Sequence, residues 1–243
     1  MAEEIFFNNV SHSYDGVGVL RHVTLKFHKN IITAIIGKSG SGKSTLLQMI
    51  NGLIIPQQGQ INVFGKQINY QQLIQLRLKM GYAVQGTGLF PHMTVFENIA
   101  LLARVNNYDS NQIESRTREL LQFVDLDEAF LKKYPYQLSG GEQQRVGICR
   151  AMILKPAIFL LDEAFGALDP TTRGEIHREF LKLQEAEPRT VVMVTHDLNE
   201  AAKLAQNILI LNDGIVQQFG TTYEILNSPA NSFVRDFIQS QHD

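Results

Sequence analysis

Apolar positions along this chain fall into short runs separated by longer stretches of helical spacing. Residues 5–10 and 23–27 read as strands, the second with period-two alternation. Residues 31–36 form a nearly continuous apolar run, as a strand buried on both faces requires. The runs at 157–161 and 191–195 have the same character, and 59–68 and 81–84 are strand-like. Two further apolar runs, 208–211 and 215–217, flank Asn212-Asp213-Gly214, a hairpin signal. Helices are expected over 43–51, 71–79 and 95–124, with a break at Asn106-Asn107-Tyr108-Asp109. Another is expected to start at Ser139, a good N-cap residue, and short helices should follow Thr222.

Strands alternating with helices predict an α/β fold with a mainly parallel sheet, and the early strands suit a small antiparallel β layer. The helical stretch 86–155 reads as a subdomain inserted into a core made of 1–85 and 156–243. Ligands of such sheets bind beyond the carboxyl ends of the strands. Three apolar runs end in residues able to do chemistry: a glycine-rich loop at Gly37, the acids Asp162-Glu163, and His196. They are expected to converge in space.

Composition narrows the choices. With 243 residues, 44% of them hydrophobic, the chain can bury one large core or two joined subdomains. Lys plus Arg number 22 and Asp plus Glu 24, so a formal charge of −2 predicts no nucleic-acid partner. Cys149 is the single cysteine, which excludes an internal disulfide and fits a reducing compartment. No apolar run reaches the roughly 18 residues of a membrane span. The start, Met1-Ala2-Glu3-Glu4-Ile5, lacks the pattern of a secretory signal.

Gly37-Lys38-Ser39-Gly40-Ser41-Gly42-Lys43-Ser44 has the form G-x-x-x-x-G-K-[ST] of a phosphate-cradling P-loop. Glycines let backbone N–H groups turn toward phosphate oxygens, Lys43 neutralises the β- and γ-phosphates, and Ser44 suits Mg²⁺. Adjacent residues of a strand point oppositely, so Asp162 and Glu163 should have different tasks. Asp162 suits a metal ion, while Glu163 suits an attacking water, as base or positioning group. Ser139-Gly140-Gly141 combines an N-cap with two glycines, which lets a helix N-terminus approach an anion closely. Asp169 before Pro170 has the pattern of a helix cap. Tyr14 is either a ring that stacks on a base or a half-buried hairpin residue. The other histidines, His12, His22, His28, His92, His177 and His242, lack ligand-like spacing and read as surface or structural.

Leu138-Ser139-Gly140-Gly141-Glu142-Gln143-Gln144-Arg145 beside the P-loop resembles the ATP-binding cassette family, the nucleotide-driven engines of membrane transporters. The resemblance covers the whole chain and implies a P-loop NTPase core carrying an inserted α-helical subdomain. It implies ATP binding by Tyr14, the loop residues Gly37, Lys38, Ser39, Gly40, Ser41, Gly42, Lys43 and Ser44, the following Thr45, Gln85 and His196. It implies Mg²⁺ on Ser44, Gln85 and Asp162, and catalysis by Glu163, His196 and Lys43. Ser139, Gly140, Gly141, Gln143 and Asp169 are implied to act in trans, on ATP held by a second subunit, so the working form is a homodimer or heterodimer. Membrane permease subunits and an extracytoplasmic solute-binding protein are implied partners, and the cytoplasmic face of the inner membrane the implied location.

Leu89-Phe90-Pro91-His92-Met93-Thr94 and Phe165-Gly166-Ala167-Leu168-Asp169-Pro170 resemble ATPase subunits of importers for glycine betaine, choline and related osmoprotectants. Some of Leu89, Phe90 and Pro91 are expected to stay exposed as a docking groove. Two departures stand out: Ala164 occupies a place where proline is commoner, and the sequence ends at Asp243 without the regulatory tail domains several such subunits carry. Amino-acid, sulfonate or lipid transport stays open. DNA-repair and translation ATPases share the same head, but repair heads carry a coiled coil, and sustained heptads are missing from this insert. Translation factors carry two cassettes where this chain has one.

Overall fold

In the computed structural model, which describes residues 3–84, 86 and 88–241, strands β1 (Glu3–Tyr14), β2 (Val17–His28) and β3 (Ile32–Ile36) precede helix α1 (Lys43–Ile50). Next come β4 (Gln58–Val63), β5 (Lys66–Gln67), the short α2 (Ile74–Arg77) and β6 (Met80–Ala83). Helices α3 (Val95–Val105), α4 (Ser110–Phe123) and α5 (Gly140–Met152) fill the middle. They are followed by β7 (Ile158–Asp162), α6 (Pro170–Ala186), β8 (Thr190–Val194) and α7 (Leu198–Leu204). The hairpin β9 (Asn207–Asn212) and β10 (Ile215–Thr221) then leads into α8 (Thr222–Asn227) and α9 (Ser232–Gln239). Two compact units divide the chain: Met1–Arg77 with Thr190–Asp243, and Leu78–Arg189.

The first unit contains the antiparallel layer, in the order β2-β1-β4-β5. It also contains a parallel set in which β3 lies between β8 and β9, with β10 antiparallel beyond β9. Every residue of β3 and β8 is buried, which is why their apolar runs are continuous rather than alternating. β1 and β2 are longer than alternation alone suggests. Register shifts between Phe7 and Val10, Val10 and His12, and His12 and Ser13 interrupt the period-two pattern while pairing continues to Tyr14 and Val17.

In the second unit β6 and β7 pair in parallel, with Tyr82 opposite Leu160. Gly81 lets α5 pack closely on β6, since a Cβ there would lie 2.3 Å from the Ala151 carbonyl oxygen. The expected insert, 86–155, lies inside this unit, which also holds β6, β7 and α6. Among the described residues no helix is long and apolar enough to cross a membrane.

Two helices differ from expectation. The helix expected over 71–79 shrinks to α2, because Asn69 turns the chain first: its Oδ1 accepts from Gln71 N–H at 3.0 Å and its carbonyl from Gln72 N–H at 3.0 Å. Helix α6 begins at the Asp169 cap read from the sequence, which accepts from Thr172 N–H at 3.0 Å, whereas α7, unassigned from sequence, begins at Asp197, which accepts from Asn199 N–H at 2.8 Å.

Candidate active site

In the first unit the glycine-rich loop connects β3 to α1. Gly37 fits only as glycine, because a Cβ there would lie 2.0 Å from the Leu211 carbonyl oxygen. Gly42 is the left-handed N-cap of α1 (φ 99°), and its Cβ would meet the Val19 carbonyl at 2.5 Å. The cap is a glycine, which makes no side-chain cap hydrogen bond, and the first turn of α1 holds no acidic residue. That helix end is electropositive and open to an anion.

The loop's side chains fit the same ligand. Lys43 is buried, and its Nζ donates to the carbonyls of Gly37 and Lys38, each at 2.9 Å. Its ammonium is thus held inside the curl of the loop. The Ser41 hydroxyl is buried without a hydrogen-bond partner among the described residues, an orphan that a phosphate oxygen would satisfy. The Asn212-Asp213-Gly214 hairpin turn, read from sequence only as a turn, supports the loop: Gly214 N–H donates to Ser41 O at 3.2 Å.

His196 comes to the same edge. β8 runs parallel to β3 with Val194 opposite Ile35, and Thr195 N–H donates to Ile35 O at 3.2 Å. The carboxyl ends of both strands therefore lie side by side, with the loop leaving one and exposed His196 following the other. Tyr14 ends β1 at 46% exposure, braced by His12, whose ring stands edge-on at 4.8 Å. It is half-exposed, as a stacking ring needs to be. The Val19 carbonyl that abuts Gly42 and Gly214 belongs to the partner strand of the same hairpin.

In the second unit Asp162 is buried at the end of β7, and the Tyr82 hydroxyl donates to its Oδ2 at 3.3 Å. Glu163 leaves the strand in the left-handed region (φ 48°), a conformation that costs a non-glycine residue roughly 1–2 kcal/mol. Such outliers concentrate at functional sites. Its carbonyl is held by the Gly166 N–H at 3.1 Å and the Gln144 Nε2 at 3.2 Å. Sequence reasoning assigned neither Tyr82 nor Gln144. The signal for Gln144 was a polar residue in register with Ile148, Ala151 and Met152 on the buried face of α5.

Ser139 caps α5 in a capping box: its hydroxyl accepts from Glu142 N–H at 3.3 Å, and its N–H donates to Glu142 Oε2 at 2.7 Å. Burial acts to raise the Glu142 pKa, but the Ser139 hydrogen bonds outweigh it and hold the carboxyl below its ordinary value. Ser139 and Gly140 are exposed. A Cβ on Gly140 would meet nothing within 4 Å, and on Gly141 nothing nearer than 3.5 Å. The chain's own packing therefore does not demand either glycine. Gln143 turns back to its own chain, with Nε2 donating to Leu138 O at 3.1 Å.

Asp169 is the cap of α6, and the Thr172 hydroxyl and N–H hold its carboxyl below the usual range. His177 is buried, its ring edge-on to Phe165 at 4.9 Å. Gln85 lies outside the described residues. Phe90 is 41% exposed and Pro91 is exposed too, as the docking expectation requires. Asn98 pins this loop from beneath.

Comparison with known proteins fits this arrangement. The sequence pattern of a family described as ABC transporter matches residues 20–166. The chain is 46% identical over 231 residues to the choline transport ATP-binding protein OpuBA of Bacillus subtilis (strain 168), covering 95% of this chain and 61% of that protein. It is 45% identical over 233 residues to the carnitine transport ATP-binding protein OpuCA of Listeria monocytogenes, covering 96% of this chain and 59% of that one. It thus spans about three fifths of the length of these relatives. A dimeric structure of the ATP-binding cassette MJ0796, in a post-hydrolysis state bound to ADP and Pi, matches with a TM-score of 0.84 at 33% identity. That match covers 90% of this chain and 98% of the other. The α/β P-loop architecture is common to both.

Proposed function

We propose that this chain, which belongs to the ABC transporter family, hydrolyses ATP to drive solute import across a membrane. The observation that carries the reading is the phosphate loop, which combines buried Lys43, the orphaned Ser41 hydroxyl and a glycine-capped helix α1 within eight residues of sequence.

Lys43 would exchange the Gly37 and Lys38 carbonyls for the β- and γ-phosphates, while N–H groups of Gly40, Gly42, Ser44 and Thr45 share the remaining charge. Tyr14 would stack on the adenine. The hydroxyl of Ser44, the carboxylate of Asp162 and the amide oxygen of Gln85 are hard oxygen donors of the kind Mg²⁺ takes. Bound there, the ion would neutralise charge on the phosphates. Glu163 orients a water for attack on the γ-phosphorus and takes its proton. The bond to the bridging oxygen breaks, ADP leaves, and phosphate is released. His196 holds the γ-phosphate and that water.

Ser139, Gly140, Gly141, Gln143 and Asp169 act on nucleotide held by a second copy or a similar subunit. Two glycines that this chain's packing does not require support that assignment. The segment 86–155 serves as the helical subdomain, and exposed Phe90 and Pro91 are where a membrane-embedded permease docks. The named relatives support a quaternary amine as the solute, delivered by an extracytoplasmic binding protein to a complex whose ATPase sits on the cytoplasmic face.

Co-purification from detergent-solubilised native membranes tests this reading. A polytopic membrane protein in stoichiometric amount is the expected result. A purely soluble assembly with no membrane partner refutes the transport assignment.

A further inference from the structure

Resting on the nucleotide-binding reading above, the geometry points to the C-terminal helix as a positioning element of the phosphate loop. Phe233 of α9 holds the Lys38 side chain and so restrains the segment on which Lys43 is parked. The Lys38 Nζ lies 5.6 Å from the centroid of the Phe233 ring, within the range of cation–π attraction. Phe233 in turn stacks on buried Phe237, with centroids 6.1 Å apart and planes 17° apart. The ring is therefore backed by the core and not free to swing away.

The helix is itself pinned. Asn231 caps it by accepting from Val234 N–H at 2.9 Å, and donates through Nδ2 to Gln217 Oε1 at 3.4 Å. Gln218 accepts from Ala230 N–H at 2.8 Å and donates to Ser228 O at 3.1 Å. Neighbouring side chains on a regular strand face opposite ways. A register shift between Val216 and Gln218 allows two successive glutamines to serve the same linker.

Lys38 transmits this anchoring through its backbone. Its carbonyl accepts from Lys43 Nζ at 2.9 Å and from Ser41 N–H at 3.2 Å. A residue with a tethered side chain and a carbonyl shared by two loop donors defines the loop's curl before nucleotide arrives. Releasing the tether leaves an exposed lysine and a looser segment, and ordering that segment then weakens phosphate binding. Phe233 acts only through Lys38, so it is a positioning residue.

The test is ATP affinity by titration calorimetry for the full chain and for Phe233→Leu, Phe233→Tyr, Lys38→Met and the Phe233→Leu/Lys38→Met double variant, each checked for folding by its thermal midpoint. Leucine keeps the apolar contact and removes the π face, whereas tyrosine keeps the face. An exposed cation–π contact corresponds to about 2–5-fold in affinity. Phe233→Leu should lose that factor, Phe233→Tyr should match wild type, and Phe233→Leu should have no effect in the Lys38→Met background. Unchanged affinity in Phe233→Leu, equal losses in both Phe233 variants, or additive losses in the double variant overturn the proposal. A wild-type chain that binds no ATP overturns the nucleotide reading itself, and the proposal with it.

Discussion

Replacing Asn98 by leucine isolates the contribution of one buried amide to the exposed loop above it. Asn98 is fully buried on α3. Its Oδ1 accepts from Phe90 N–H at 2.8 Å, and its Nδ2 donates to the carbonyls of Phe90, Met93 and Thr94 at 3.1, 3.0 and 3.0 Å. Two of these groups have other partners: Phe90 O also accepts from Met93 N–H, and Thr94 O from Asn98 N–H. Leucine, similar in size, would therefore orphan the Phe90 N–H and the Met93 carbonyl. At about 1–3 kcal/mol for each unsatisfied group, with partial hydration at Phe90, the loss is about 2–4 kcal/mol. For a chain of this length that lowers the melting midpoint by roughly 4–16 °C. Scanning calorimetry on the purified chain measures it. The nucleotide residues are untouched, so basal ATP hydrolysis should stay within about two-fold of wild type, while stimulation by the proposed permease partner should fall as the loop loses its shape. A midpoint shift below about 1 °C would refute the reasoning, since it would mean that water satisfies both groups at no cost.

Glu163→Gln should keep ATP binding and lose about 100-fold or more in turnover, leaving an ATP-held dimer on size exclusion; turnover near wild type removes Glu163 from its role. Lys43→Ala should weaken ATP binding by roughly 10–100-fold, the loss of a charge-assisted hydrogen bond, and unchanged affinity in calorimetry counts against the loop assignment. Gln144→Leu frees the Glu163 carbonyl from one of its two donors. It should lower kcat by about 2–10-fold at constant ATP affinity, whereas a change in affinity alone would contradict a role through Glu163. Because the Glu142 carboxyl sits below its ordinary value when folded, the capping box stabilises α5 at neutral pH. That stabilisation fades as pH falls below the ordinary glutamate value of about 4.3 and on through the folded value. Glu142→Gln should flatten this part of the acid melting profile, and an unaltered profile would exclude the box as its source.

Much of the chain could be read directly because the relevant physics is local. The runs at 31–36 and 191–195 read as strands buried on both faces because they are almost continuously apolar, and β3 and β8 are indeed buried throughout. Gly37, Gly42 and Lys43 announced a phosphate loop by spacing, and the structure supplies the reason, with main-chain carbonyls of Leu211 and Val19 where Cβ atoms would lie. Ser139 and Asp169 announced helix starts, because a cap bonds within three residues of itself.

What stayed hidden depended on residues distant in sequence. The bulges that lengthen β1 and β2 erase the alternation by which a strand is recognised. Asn69 stopped a helix that propensity favoured. Gln144, Tyr82 and Asn98 looked like ordinary polar or aromatic residues until packing brought them beside a strained glutamate, a buried aspartate and an exposed loop. Phe233 stands 195 positions after Lys38 in the chain, and nothing in either neighbourhood connects them. Sequence by itself determined the buried strands, the capped helix starts at Ser139 and Asp169 and the chemistry of the phosphate loop, because these are set by neighbours within a few residues. Tertiary structure alone decided which side chains hold that chemistry in place, because a hydrogen bond or ring contact depends on distance in space, and folding sets that distance.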